Sequence, residues 1–286
     1  MIYLDSAATS LQKPPEVARA MVRAMQTCAS PGRGDHAAAM RAAETVYSCR
    51  EEAAALFHMD TPENVVFTMN ATHALNIAVR SLVKEGGHVV VSGFEHNAVM
   101  RPLYASGADI LAADTPLFDS DALVRWFANH LPGADAAVCT CVSNVFGFIL
   151  PVEEIAALCR KHSVPLLLDA SQSAGILDLN FPALGAAFAA MPGHKGLYGP
   201  QGTGILLCRD KGMPLLSGGT GGDSRSHFMP ETLPERLEAG THNVCGIAGL
   251  REGIRFVRRR TTKRIYTEEE RLIRRLAARL NNLPGL

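Results

Sequence analysis

The amino-acid sequence predicts an α/β fold, and three observations carry that expectation. Short apolar or β-branched runs of strand length recur at 64–69, 88–92, 109–113, 135–142, 164–169, 184–191 and 202–209. Helical patterns accompany them: 37–57, ahead of the first run, is alanine-rich with Val46, Ala53 and Leu56 on one face, and 120–130 reads as a helix between the third and fourth. The last two runs bound a loop, Pro192 to Thr203, where one lysine, Lys195, stands among glycines and prolines. Such a lysine is held between rigid elements. Burial penalises its ammonium form and frees the amine to attack a carbonyl, whereas an isolated loop lysine is ordinarily solvated.

The chain has 286 residues, 47% of them hydrophobic, with 28 basic and 28 acidic side chains. That suits a soluble globular protein of one large domain or two smaller ones. A formal charge of zero argues against a general nucleic-acid binder. The 7 cysteines include no C-x-x-C pair, so neither a disulfide framework nor a zinc knuckle is signalled, and no metal is expected. There is no basic-then-apolar leader and no run long enough to span a bilayer; the expectation is a cytoplasmic protein with reduced thiols.

Residues 1–13 read as a strand-like start followed by turns, and Pro14-Pro15 opens an amphipathic helix to about Gln26. The stretch from Ser30 to His36 is too rich in breakers to be helical. After the run 64–69, Asn70-Ala71-Thr72-His73 starts a helix, so free N–H groups and the positive dipole end converge on one spot that suits a phosphate. The plain alternative makes Thr72 an ordinary helix cap. His96 follows the run 88–92, where a titratable aromatic ring can stack on a planar group and move protons.

Cys139 and Cys141 alternate along a strand and share a face, which favours a buried apolar role over redox chemistry. Ser143 to Gly147 then leaves that strand as a polar turn. The run 164–168 leads straight into Asp169, and a buried carboxylate demands a cationic partner unless it merely caps a helix. The glycine-rich stretch Ser217 to Gly222 lacks a Gly-Lys-Ser/Thr ending, so it reads as a flexible loop, continued by a mobile segment over 223–236. From Val244 to Leu283 the chain reads as mostly helical, with 11 basic against 4 acidic residues from Arg251 onward. Their helical spacing suits a solvated face better than a nucleic-acid stripe.

Several motifs in a fixed order carry a resemblance: Tyr3-Leu4-Asp5-Ser6-Ala7-Ala8-Thr9-Ser10, Met191 to Gly204 with its Gly-His-Lys, and Glu238-Ala239-Gly240-Thr241-His242-Asn243. Nearly end to end, the chain resembles the class V aminotransferase family, in its cysteine desulfurase-like branch of pyridoxal-phosphate enzymes. The resemblance implies an aspartate-aminotransferase-like (fold type I) large domain, with a mostly parallel seven-stranded sheet between helices. It divides the chain into an N-terminal segment (1–13), the cofactor-binding domain (14–260) and a helix (261–286) leading to a small domain expected to be absent.

In the resembled site, pyridoxal 5'-phosphate forms a Schiff base with Lys195, and Asp169 faces the ring nitrogen. His96 stacks on the ring and joins Lys195 in moving protons. Ala71 and Thr72 hold the phosphate, Gln172 meets the phenolic oxygen, and Asn144 lies near the ring oxygen and substrate carboxylate. The family's serine or threonine three residues before the lysine is Pro192 here, leaving His194 as the available phosphate donor. Thr241 reaches the phosphate of the other protomer, which implies a homodimer, and the loop carrying His36 lies over the site. The implied reaction takes a small amino acid, L-cysteine, to L-alanine and enzyme-bound sulfur, with a sulfur-acceptor protein as a further partner. A transaminase or β-lyase on the same scaffold, and a non-catalytic cofactor-binding dimer, are the alternatives.

Overall fold

Both faces of the central strands are apolar, which dictates a sheet covered by helices on each side. In the computed structural model, residues 2–32, 34–221 and 226–281 are described. The strands are β1 (Val65–Thr68), β2 (His88–Val91), β3 (Asp109–Ala112), β4 (Ala136–Thr140), β5 (Leu166–Asp169), β6 (Phe188–Pro192) and β7 (Gly204–Cys208). They form one seven-stranded sheet in the order β1-β7-β6-β5-β4-β2-β3. The pairings from β3 across to β6 are parallel, and β7 runs antiparallel to both β6 and β1. The mostly parallel seven-stranded sheet is thus present, and β7 accounts for the exception.

The period-2 alternation of side chains sorts the core into two clusters. On β5, Leu166 and Leu168 join the cluster under α2 (Ala37–Leu56), α5 (Ser120–His130), α6 (Val152–His162) and α8 (Val244–Arg260). Leu167 points the other way, to α3 (Ala71–Leu82) and α4 (Asn97–Ala105). Cys139 and Cys141 both belong to the first cluster, as their shared face predicted. The outer layer is completed by α1 (Pro15–Thr27), which packs on α8.

Two expectations need correction and two readings take a finer form. No strand forms in the described residues before α1, where a turn at 6–8 interrupts irregular chain. The run 184–191 is not all strand, because Asn180 caps a short helix, α7 (Phe181–Leu184), through the Ala183 N–H at 3.1 Å, and β6 begins only at Phe188. The C-terminal helical stretch is two helices, α8 and α9 (Thr262–Leu280), broken where Thr261 takes φ 66°. Finally, Asn70 rather than Thr72 caps α3, its Oδ1 accepting from the His73 N–H at 2.9 Å. The expected flexible loop carries no helix or strand from Ser217 to Gly221, and 222–225 lie outside the described residues. Among the described residues no helix is long and apolar enough to cross a membrane.

Candidate active site at the carboxyl edge of the sheet

Chain direction collects chemistry at one edge. β2, β4, β5, β6 and β1 all end there, so the loops bearing His96, Asn144, Asp169 with Gln172, Lys195, and Ala71 with Thr72 open on the same side. The strand path also reverses there: β2 leads outward to β3, while β4 leads the opposite way through β5 and β6. Open α/β sheets bind ligands at such a switch point.

Asp169 closes β5 and is 3% exposed. Its Oδ1 accepts the Ser171 N–H at 2.9 Å. Burial pushes its carboxyl above the ordinary aspartate value, against the opposing pull of Ser171, Lys195 and His96. Lys195 is half-buried, and burial lowers its pKa while the Asp169 charge works the other way. Desolvation therefore drives both groups toward neutrality although they attract each other. His96 caps α4, its Nδ1 accepting the Ala98 N–H at 3.0 Å, which puts the neutral ring's proton on Nε2.

The lysine loop is tightly built. Gly193 N–H donates to the Thr203 carbonyl at 2.8 Å, and Gly199 N–H to the Gly193 carbonyl at 2.7 Å. Its far wall is the turn after β5, where Gly175 has φ +85° and a Cβ would lie 2.3 Å from the Gly196 oxygen. The near wall is the N-terminal segment: Ser10 N–H donates to the His194 carbonyl at 3.0 Å, and Gln172 Nε2 donates to the Ala7 carbonyl at 3.2 Å. His194 Nδ1 lies 3.0 Å from Thr9 Oγ1. Burial, with Lys195 and Lys13 nearby, lowers the His194 pKa.

The remaining residues stand further out. Ala71 and Thr72 open α3, with Thr72 exposed. Three strand spacings, roughly 14 Å, separate the end of β1 from Asp169. Asn144 is exposed on the turn after β4. Thr241, also exposed, lines a cavity of about 90 Å³ with Met69, His73 and Leu216. His36 caps α2, its Nδ1 accepting from the Ala39 N–H at 3.4 Å. A larger cavity, about 450 Å³ between α1, α2 and α8, contains none of these residues.

Sequence reasoning passed over three groups here. Glu95 ties the turn before His96, accepting from the Ser92 N–H at 3.0 Å and the Gly93 N–H at 2.8 Å. Arg50 and Glu238 form a buried ion pair, and Glu238 also meets His242 at 3.1 Å across the turn that carries Thr241. Thr9 and Ser10 hold the lysine loop. Arg50 left a signal as a lone charge on the buried face of an alanine-rich helix, and Thr9, Ser10 and Glu238 lay inside the motifs that carry the resemblance without a role assigned to them.

This topology, a mostly parallel seven-stranded sheet between helices with a buried carboxylate and a half-buried lysine at its carboxyl edge, defines a large domain of the aspartate-aminotransferase type, fold type I. The family described as Aminotransferase class-V matches residues 2–286. The chain is 33% identical over 305 residues to a probable cysteine desulfurase of Methanothermobacter thermautotrophicus, covering 100% of this chain and 74% of that protein. A probable cysteine desulfurase of Xylella fastidiosa is 32% identical, with 100% and 72% covered. Among solved structures, the apo cysteine desulfurase from Thermococcus onnurineus NA1 superposes with TM-score 0.90 at 29% identity, covering 100% of this chain and 79% of that one. The cysteine desulfurase CsdA from Escherichia coli gives 0.85 at 25%, covering 99% and 74%. The chain belongs to the class-V aminotransferase family, whose cofactor is pyridoxal phosphate.

Proposed function

We propose that this chain is a cysteine desulfurase-type enzyme in which Lys195 is the amine that carries pyridoxal 5'-phosphate. The observation that carries the reading is the gathering of the buried Asp169 carboxyl at the end of β5, the half-buried Lys195 amine after β6 and the His96 ring after β2 on one edge of the sheet. When bound, the cofactor supplies an aldehyde that condenses with amines and a ring that takes up the electron pair released at the substrate's Cα.

The donor set fits that group. A carboxyl kept from water is stabilised as an anion by a protonated ring nitrogen, and Asp169 is the candidate. The N–H groups of Ala71 and Thr72 and the Thr72 hydroxyl suit a phosphate at the start of α3. His96 offers a ring to stack and a proton on Nε2. Gln172 and Asn144 are the donors for the phenolic oxygen and the substrate carboxylate, and His194 stands beside Lys195 as a further phosphate donor. Pro192 has no hydroxyl to give. Lys195, desolvated and biased toward its neutral form, takes and returns the proton at Cα. In this reading Thr241 of one protomer reaches the phosphate of a second, so the unit is a homodimer. Seven unpaired cysteines support a reducing, cytoplasmic setting.

The net change breaks the Cβ–S bond of L-cysteine: its electron pair stays with Cβ, which takes up a proton to give alanine, and the sulfur passes to an acceptor thiolate as a persulfide. Cys49, Cys141 and Cys159 are poor acceptors, because burial pushes each thiol to about 12. Cys139 and Cys208 are raised by burial as well, so Cys28 and Cys245, both half-buried, remain as this chain's own candidates beside a thiol on a partner or in solution. The test mixes the chain with the cofactor, L-cysteine and dithiothreitol. Equal alanine and sulfide support the reading, whereas a keto acid identifies a transaminase or β-lyase and no turnover a binding scaffold. An absorbance band of the lysine-bound cofactor should appear in the wild type and vanish in Lys195→Ala.

A further inference from the structure

We propose that Thr9 and Ser10 are positioning residues of the Lys195 loop, their hydroxyls fixing the His194 peptide and hence the place where the neighbouring amine is presented. The proposal rests on the functional reading above. The His194 carbonyl receives the Ser10 N–H at 3.0 Å, the Ser10 Oγ at 3.1 Å and the Thr9 Oγ1 at 3.1 Å. Thr9 Oγ1 also meets the His194 imidazole. The strap is itself braced, because the Tyr3 hydroxyl donates to the Thr9 carbonyl at 2.8 Å and Lys13 Nζ to the Ser10 hydroxyl at 3.1 Å.

The sheet side of the loop is held by the backbone bonds of Gly193 to Thr203 and Gly199 to Gly193, with the Thr203 hydroxyl donating to the Pro200 carbonyl at 2.7 Å. Across the loop, a Cβ on Gly196 would lie 2.4 Å from the Ala174 oxygen, so the loop cannot shift toward β5. α8 walls the later part of the loop, where a Cβ on Gly253 would lie 2.2 Å from the Leu197 oxygen, and the strap holds the His194 end. Because Thr9 and Ser10 are only half-buried, removing their hydroxyls unlatches that side without hollowing the core.

The experiment compares full-length Thr9→Val/Ser10→Ala with wild type, first without cofactor. Hydrogen exchange at the amides of residues 194–196 should accelerate about tenfold, with β5 and β6 unchanged. Condensation with added pyridoxal 5'-phosphate, followed by absorbance, should slow by a similar factor, and Thr9→Ser should retain the wild-type rate. Wild-type exchange and condensation in a variant that melts as wild type overturn the proposal. If the double variant does not fold, Thr9→Val alone, which keeps both Ser10 donors, is read the same way. Should Lys195→Ala keep the band, the functional reading falls while loop exchange still decides this one.

Discussion

Burial acts on Asp169 and Lys195 in opposite senses, and the pH dependence of stability follows from that. Asp169 has a raised pKa in the folded chain, so it binds its proton more tightly folded than unfolded. Its contribution is complete below the ordinary aspartate value of 3.8 and is lost as pH rises through the raised value. Asp169→Asn removes that loss. The cofactor-free variant should melt at least ~2 °C above wild type near neutral pH, with the gap closing in acid; a gap constant across pH would contradict the burial argument. Both residues were legible in sequence because their signals are local: five apolar residues run into a carboxylate, and a lysine sits among glycines. Thr9 and Ser10 were not, since their partner is His194, 185 and 184 residues away.

At the scale of elements, the turn after β5 and the lysine loop touch backbone to backbone, and Gly175 is the contact point. Gly175→Ala combines a left-handed backbone with a collision against the Gly196 oxygen, so it should cost about 2 to 3 kcal/mol and loosen the lysine loop. Gly133 is the control, with φ +87° and nothing within 4 Å of a Cβ. There alanine should cost about 1 kcal/mol, from strain alone. Denaturant midpoints of the two variants make the comparison, and equal losses would remove the collision from the account. Strand cores were readable from β-branched runs, but boundaries fell to local chemistry that composition hides. An Asn180 cap made a helix where the apolar run suggested strand, and Thr261 broke a pattern whose period continues on both sides. The helices α4 and α6 went unread; Pro102 interrupts the pattern of one, and the other starts from Pro151 without a side-chain cap.

For the whole molecule, the buried pair of Arg50 and Glu238 joins α2, β1 and the segment ahead of α8. Glu238 also accepts the Phe67 N–H at 2.5 Å, and the Arg50 guanidinium lies 4.6 Å from the Phe67 ring centre. Burial pushes the Glu238 carboxyl up, yet Arg50 and His242 more than offset it and its pKa is lowered overall. Arg50→Met strands that charge and should cost about 3 to 5 kcal/mol in chemical denaturation; a loss below 1 kcal/mol would show the pair to be dispensable. The basic C-terminal stretch is likewise tied by charge, with Arg255 and Arg258 on Glu52, Arg271 on Glu268 and Arg274 on Glu270.

The strap carries a practical consequence for handling this protein. Anything fused ahead of Ile2 hangs on seven residues of chain, roughly 25 Å at full stretch, from a hydroxyl that latches the reactive loop. A bulky affinity handle or a surface linkage at that end pulls on the loop that carries Lys195, so a long flexible spacer belongs between the two.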